Sequence, residues 1–390
     1  MSLISDTAAL GRFCERLAGA PFITVDTEFM REKTYWPVLC LVQVAGGGMD
    51  DDPESAACID AMAPGMDLAP LVRLLDDSNI TKVFHAARQD LEIFYRLSGR
   101  LPTPVFDTQV AAMVCGFGDS VGYETLVSRL TKGRIDKSSR FTDWSIRPLS
   151  ERQIAYALAD VTYLRTAYVK LEKRLADNGR EAWLDAEMAI LTRPETYDAD
   201  PMDAWKRLKA RGNRRFLAVL RELAAWREKE ARRRDVPRNR VLRDEALMEI
   251  AHHQPTNAKQ LGRTRGLNEK TAEGPFGETI LAAVAAGMAV PDERCPELED
   301  RPDIPSGLGP VADLLKVLLK MRSEDSDVAQ KLLASSADLD LLAAFGAEAD
   351  VPALKGWRHE VFGNDALKLI KGEIGLAIAG KRIKVVAARD

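Results

Sequence analysis

The chain has 390 residues, more than one ordinary hydrophobic core accommodates, so two or three domains are expected. Its 46% hydrophobic and 29% charged residues exclude an intrinsically disordered chain, and no apolar run approaches the roughly 20 residues that a membrane-spanning helix requires. The formal net charge of −4 conceals an asymmetry: the stretch from Trp205 to Arg243 holds 15 Lys/Arg against 4 Asp/Glu, which leaves −15 on the remainder.

The N-terminal stretch MSLISDTAALGRF lacks a basic start followed by an apolar core, so no secretory signal is expected. Phe22–Val25, Leu39–Val44, Lys82–His85 and Pro104–Thr108 read as short strands rich in β-branched and aromatic residues. Leu68–Leu75 and Asp90–Tyr95 carry helical periods between them, which predicts a mixed α/β domain. Ser150 followed by Gln153 is a capping-box pattern that opens a long amphipathic helix running to Lys173. From about residue 205 strand signals vanish. Phe216, Leu217, Leu220, Leu223, Ala224 and Trp226 form one helical stripe, residues 299–310 read as a Pro/Gly-rich linker, and 311–386 read as helical again. The expected organisation is an α/β domain over 1–195 and two small all-α domains over 205–295 and 308–388. Cys14, Cys40, Cys58, Cys115 and Cys295 are scattered with no CxxC spacing, which argues against a zinc ribbon or a disulfide framework and for a cytoplasmic protein with no membrane association.

Three groups of acidic residues carry the chemistry. Asp26 and Glu28 end the first strand, and residues i and i+2 share one face about 7 Å apart along the backbone. Two acids there repel unless something positive lies between them. Asp90 follows the third strand, and Tyr156 and Asp160 share a face of the long helix at i and i+4 among small alanines. Taken singly, each has a bland reading as a loop, helix-start or core residue. Taken together they supply four hard oxygen ligands, which suit Mg²⁺ or Mn²⁺, and two such ions can activate water and stabilise the leaving oxygen in phosphodiester cleavage.

The segments VDTEFMREKTYWPVLCLVQVA, KVFHAARQDLEIF and RPLSERQIAYALADVTYL resemble the three motifs of the DEDD superfamily of exonucleases, and within it the bacterial ribonuclease D family, over nearly all of residues 20–175. Tyr156 stands four residues before Asp160, whereas the His subfamily has its His at the position of Ala155, so the resemblance is to the Tyr branch. It implies a ribonuclease H-like fold and a 3′→5′ hydrolytic exonuclease. Asp26, Glu28, Asp90 and Asp160 would bind two divalent ions, and Tyr156 would position the attacking water. Phe29 is a candidate to stack on the terminal base, and His85 is a candidate phosphate contact or a buried core imidazole.

Residues 212–290 resemble an HRDC domain, on Trp226-Arg227, Asp235-Val236-Pro237 and Asp244-Glu245, which implies a nucleic-acid contact module. Arg232, Arg233, Arg234, Arg238 and Arg240 would grip phosphates; a solvated basic face is the other reading of the charge. Residues 311–386 resemble a divergent second copy whose basic and acidic residues balance. His252 and His253, adjacent on a helix, point about 100° apart and read as surface residues rather than a metal site. The expected partner is RNA, with tRNA precursors carrying 3′ extensions implied by the resemblance, and no obligate protein partner is evident. A DNA exonuclease and a binding scaffold with a decayed site remain as alternatives.

Overall fold

The computed structural model describes residues 3–388 except 49–51, 53, 132, 134, 136–141 and 299–303. Residues 299–303 of the expected linker therefore lie outside the described residues. The N-terminal unit contains strands β1 (Leu3–Ile4), β2 (Phe22–Met30), β3 (Val38–Gly46), β4 (Ala56–Asp60), β5 (Thr81–Phe84) and β6 (Val105–Asp107). Its helices are α1 (Thr7–Leu17), α2 (Ala69–Asp76), α3 (Arg88–Ser98), α4 (Thr108–Val114), α5 (Tyr123–Leu130), α6 (Glu151–Asp177) and α7 (Glu181–Leu191). The sheet order is β1-β4-β3-β2-β5-β6. β2, β3 and β4 run antiparallel to their neighbours in that trio, while β1–β4, β2–β5 and β5–β6 are parallel pairs.

The alternation along β2 decides which side chains meet which helices. Ile23 and Val25 join Leu10, Leu71, Leu91 and Phe94 in the core beneath α1, α2 and α3. Thr24 points the other way and donates its hydroxyl to the carbonyl of Val161 on α6 at 2.9 Å. The α6 face is therefore also the face of Asp26 and Glu28. β5 is anchored by Lys82, a fully buried lysine whose Nζ donates to the carbonyls of Asp77, Ile80 and Thr103. A buried ammonium is tolerable only with such satisfaction; burial still holds its pKa down, at about 8.

The second unit is helical: α8 (Arg214–Arg234), α9 (Arg238–Val241), α10 (Asp244–His253), α11 (Ala258–Leu261), α12 (Glu269–Glu273) and α13 (Pro275–Ala289). Its core gathers Leu217, Leu220, Leu223, Leu247, Ile250 and Ile280, the stripe visible in the sequence together with its partners. The third unit contains α14 (Gly309–Asp325), α15 (Gln330–Leu333), α16 (Ser336–Phe345), α17 (Gly356–Arg358) and α18 (Asn364–Ile370), and closes on a hairpin of β7 (Ile374–Ala379) and β8 (Arg382–Ala387). The expectation of an all-α third domain, helical to about residue 386, is thus corrected. Gly380 adopts φ +65° in a two-residue turn, and β-branched residues fill β8, so the segment prefers a hairpin over a helix. Among the described residues no helix is long and apolar enough to cross a membrane.

Both helical units dock on the α/β unit. The loop between β2 and β3 inserts Tyr35 and Trp36 against the end of α8. The backbone N–H groups of Tyr35 and Trp36 donate to one carboxylate oxygen of Asp235 at 3.1 and 3.0 Å. The Tyr35 hydroxyl donates to buried Glu228, and Arg238 donates to both Glu228, at 2.7 Å, and the Tyr35 hydroxyl, at 2.9 Å. Arg96 stacks over the Trp36 ring at 4.0 Å. On the other side Trp183 of α7 stacks on Trp357 of the third unit, with ring centroids 4.4 Å apart and planes inclined by 10°.

Removing one member of a buried charged cluster strands the others without partners. Glu228→Ala is expected to lower stability by about 3 kcal/mol and to raise hydrogen exchange in the β2–β3 loop and at the end of α8. Unchanged melting and exchange would show that this contact does not hold the two units together.

Candidate active site

Three elements converge on one pocket of about 520 Å³, lined by Asp26, Glu28, His85, Tyr123, Tyr156 and Asp160 among others. β2 brings Asp26 and Glu28 to its α6-facing side, and its register slips between Glu28 and Phe29, so a bulge ends the regular ladder just past the acidic pair. α6 brings Tyr156 and Asp160. Its start is fixed by the reciprocal cap: Gln153 N–H donates to Ser150 Oγ at 3.2 Å and Ser150 N–H to Gln153 Oε1 at 3.0 Å. That cap sets which turn of α6 faces the sheet.

Carboxylate oxygens of Asp26, Glu28 and Asp160 all lie within 4.8 Å of one another. Asp90 stands in the first turn of α3, buried, and does not line the pocket; Thr27, on the opposite side of β2 from the acidic pair, donates its hydroxyl to Asp90. The four acids still interact. Burial pushes Glu28 up to about 9, and every charged neighbour contributing to that rise is a carboxylate, in the order Asp26, Asp160, Asp90. Burial also raises Asp26, and burial with the Asp26 charge raises Asp90. Tyr156 is raised by burial and then by Asp160, Glu28 and Asp26, and its hydroxyl is hydrogen-bonded to Asp160. Half-buried acids that mutually resist ionisation, with an all-oxygen donor set, fit divalent hard cations: a cation among them removes the repulsion that proton uptake would otherwise relieve.

The remaining wall is held by residues that the sequence reading did not single out. Asp107 accepts N–H groups of Ala86 and Ala87, each at 2.9 Å, while also capping α4. This pins Ala86 at φ +61°, a conformation a residue with a Cβ rarely adopts, and sets His85 at the pocket edge. His85 Nδ1 lies 3.0 Å from the Thr108 hydroxyl, and burial lowers its pKa, so the imidazole is neutral. Tyr123 donates to the carbonyl of Ala159 at 3.0 Å and braces α6 from across the pocket.

The expected substrate contacts are placed differently from one another. Phe29 lies just beyond the bulge and is not among the pocket-lining residues. Arg232 is committed to the unit interface, donating to the carbonyl of Ala199 at 2.6 Å and to the Tyr35 hydroxyl at 3.2 Å. At this position on α8 its side chain is directed to the β2–β3 loop. Arg233, Arg234 and Arg240 are the exposed members, and Arg233 and Arg234 lie near Glu230, at 2.7 and 4.0 Å. His252 and His253 are exposed at the end of α10.

Residues 1–176 match the family model for 3′→5′ exonucleases, and residues 216–284 match that of the HRDC domain. The chain is 52% identical to a ribonuclease D of Granulibacter bethesdensis over 389 residues, 99% of this chain and 96% of that protein. It is 53% identical to a ribonuclease D of Jannaschia sp. over 385 residues, covering 98% of each. The crystal structure of Escherichia coli RNase D, an exoribonuclease involved in structured RNA processing, superposes with a TM-score of 0.78 at 33% identity, covering 95% of this chain and 98% of that one.

A carboxylate whose folded pKa is raised contributes instability that grows as pH rises from its unfolded value, near 4.5, to about 9. Chelator-treated protein should therefore melt lower at pH 8 than at pH 5. Glu28→Gln should remove part of that loss, on the order of 2 kcal/mol at pH 8. A pH slope unaltered by Glu28→Gln would place Glu28 outside the repelling cluster.

Proposed function

The chain belongs to the ribonuclease D family and is a 3′→5′ exoribonuclease; from that premise we propose that it trims the 3′ ends of tRNA precursors and other structured RNAs using two divalent cations. The observation that carries this reading is the convergence of Asp26, Glu28 and Asp160 within 4.8 Å, with Tyr156 on the same pocket wall. Asp26, Glu28, Asp90 and Asp160 would hold the ions, Mg²⁺ or Mn²⁺, for which an all-carboxylate set is suited. When bound, such a pair acidifies a water and offsets charge on the leaving oxygen.

The chain's own groups do the rest. Tyr156 keeps its proton at neutral pH, because burial and the surrounding carboxylates raise its pKa. It therefore orients the attacking water by hydrogen bonding and does not remove its proton. Glu28 lines the same pocket and is a second group able to orient the nucleophile. In-line attack breaks the bond between phosphorus and the 3′ oxygen, so each cycle releases a nucleoside 5′-monophosphate. His85 at the pocket edge would donate to a phosphate oxygen as an imidazolium, because its Nδ1–H already serves the Thr108 hydroxyl, whose own hydrogen goes to the Phe84 carbonyl, and Phe29 would meet the terminal base from the strand end.

The chain divides functionally into the exonuclease domain over 1–195, the HRDC domain within 205–295 and a divergent HRDC-like unit over 308–388 that ends in the hairpin. Arg233 and Arg234, exposed at the end of α8, would contribute sequence-independent phosphate contacts that weaken with salt. The protein would act in the cytoplasm without an obligate protein partner.

Incubation with a 3′-extended tRNA in Mg²⁺ or Mn²⁺, with products resolved by length, should give one-nucleotide shortening from the 3′ end. A matched DNA oligonucleotide should be degraded more slowly than its RNA counterpart. Asp26→Asn and Asp160→Asn should reduce hydrolysis to background while leaving RNA affinity nearly unchanged. Retained turnover in either variant would overturn the ligand assignment, and faster degradation of the DNA would overturn the substrate assignment.

A further inference from the structure

Gln43 lies in the middle of β3 and is fully buried, and neither its Oε1 nor its Nε2 has a hydrogen-bond partner. Among the described residues it alone leaves two such atoms. Its neighbours Leu41, Val42, Val44 and Ala45 are the apolar residues a strand buried on both faces normally uses. A fully buried amide without partners works against stability, since an apolar side chain of similar volume fills the same space without desolvating a donor and an acceptor. Gln43 therefore calls for a role other than packing.

Its register supplies one. Gln43 is directly opposite Asp26 on β2 and directly opposite Cys58 on β4. Opposed residues of antiparallel strands present their side chains to the same face, with Cβ atoms roughly 4.5–5.5 Å apart. The row Cys58–Gln43–Asp26 faces α6: Cys58 Sγ lies 3.9 Å from the carbonyl of Ile154, and Asp26 shares its cluster with Asp160. The amide of Gln43 thus occupies the layer directly behind the pocket, one strand from the carboxylate, on a side chain long enough to span that gap.

We propose that Gln43 is a positioning residue: its Nε2–H donates to the carboxylate of Asp26 and fixes the rotamer in which Asp26 takes up a divalent cation. This rests on the cation reading of the pocket given above. The strand pairing fixes both Cα atoms, so the contact needs only rotation of the two side chains. A donor behind a ligating carboxylate holds it in one orientation and tightens its grip on the ion.

The test uses the full chain and Mn²⁺ alone as the ligand. Gln43→Leu and the unbranched Gln43→Met replace the amide with apolar groups of similar size. Both should melt, in chelator, no lower than the parent protein. Calorimetric titration should show Mn²⁺ binding weakened roughly tenfold, and kcat on RNA should fall while KM for RNA stays unchanged. Asp26→Asn serves as the control that separates the two claims. If Asp26→Asn loses Mn²⁺ affinity while both Gln43 variants retain it, the positioning role is wrong and the cation site stands. If Asp26→Asn binds Mn²⁺ as the parent does, the cation reading fails, and the Gln43 proposal fails with it. A large drop in melting temperature with unchanged Mn²⁺ affinity would make Gln43 a structural residue and overturn the proposal.

Discussion

Carboxylates confined together in a half-buried pocket repel one another, and the arrangement around them is built to keep them there. β2 cannot turn Asp26 and Glu28 away from α6 without also turning Ile23 and Val25 out of the core under α1–α3. α6 cannot move Asp160 away without losing the Thr24–Val161 bond and the cap at Ser150. The fold thus holds an unfavourable charge arrangement in place, and Glu28, pushed up to about 9, registers the cost. A cation bound among these carboxylates would turn that cost into affinity.

The β2–β3 loop connects this site to the rest of the chain. It leaves the sheet directly after the acidic pair and ends in the Tyr35–Glu228–Arg238 cluster at the HRDC domain. The C-terminal unit is docked separately, through Trp183 on Trp357, the α4 carbonyl of Met113 accepting from Ala329 N–H at 2.9 Å, and Arg174 paired with Asp327 at 2.6 Å. Both accessory units are therefore fixed to the catalytic domain by aromatic and charged contacts whose partners lie far apart in the sequence. Part of the basic block around residues 232–238 is consumed by this docking, which local charge counts cannot distinguish from a surface free to meet RNA.

Local signals account for what was readable in the sequence. The capping box at Ser150, the i and i+4 pairing of Tyr156 with Asp160 and the i and i+2 pairing of Asp26 with Glu28 depend only on helix and strand periodicity, and the helical stripe from Phe216 to Trp226 is of the same kind. β4 carries little local signal because Ala56–Asp60 is short and its strand character comes from pairing with β3. Gly380 and the alternation in RIKVVA signal the hairpin at Ile374–Ala387, but the helical periods that precede it dominate the local pattern. Asp107 and Tyr123 lie outside the three motifs, and Gln43 lies within the first with no local pattern that marks it. Asp107 matters because it pins Ala86, Tyr123 because it braces α6, and Gln43 because of its register opposite Asp26, and each of these relations exists only once the sheet is paired.

The most direct measurement is anomalous diffraction from crystals of the protein soaked in Mn²⁺. Two anomalous peaks in the pocket, ligated by oxygens of Asp26, Glu28, Asp90 and Asp160, are expected. Peaks found only elsewhere, or none in that pocket at Mn²⁺ concentrations that support RNA hydrolysis, would contradict the claim that these acids are gathered to bind cations.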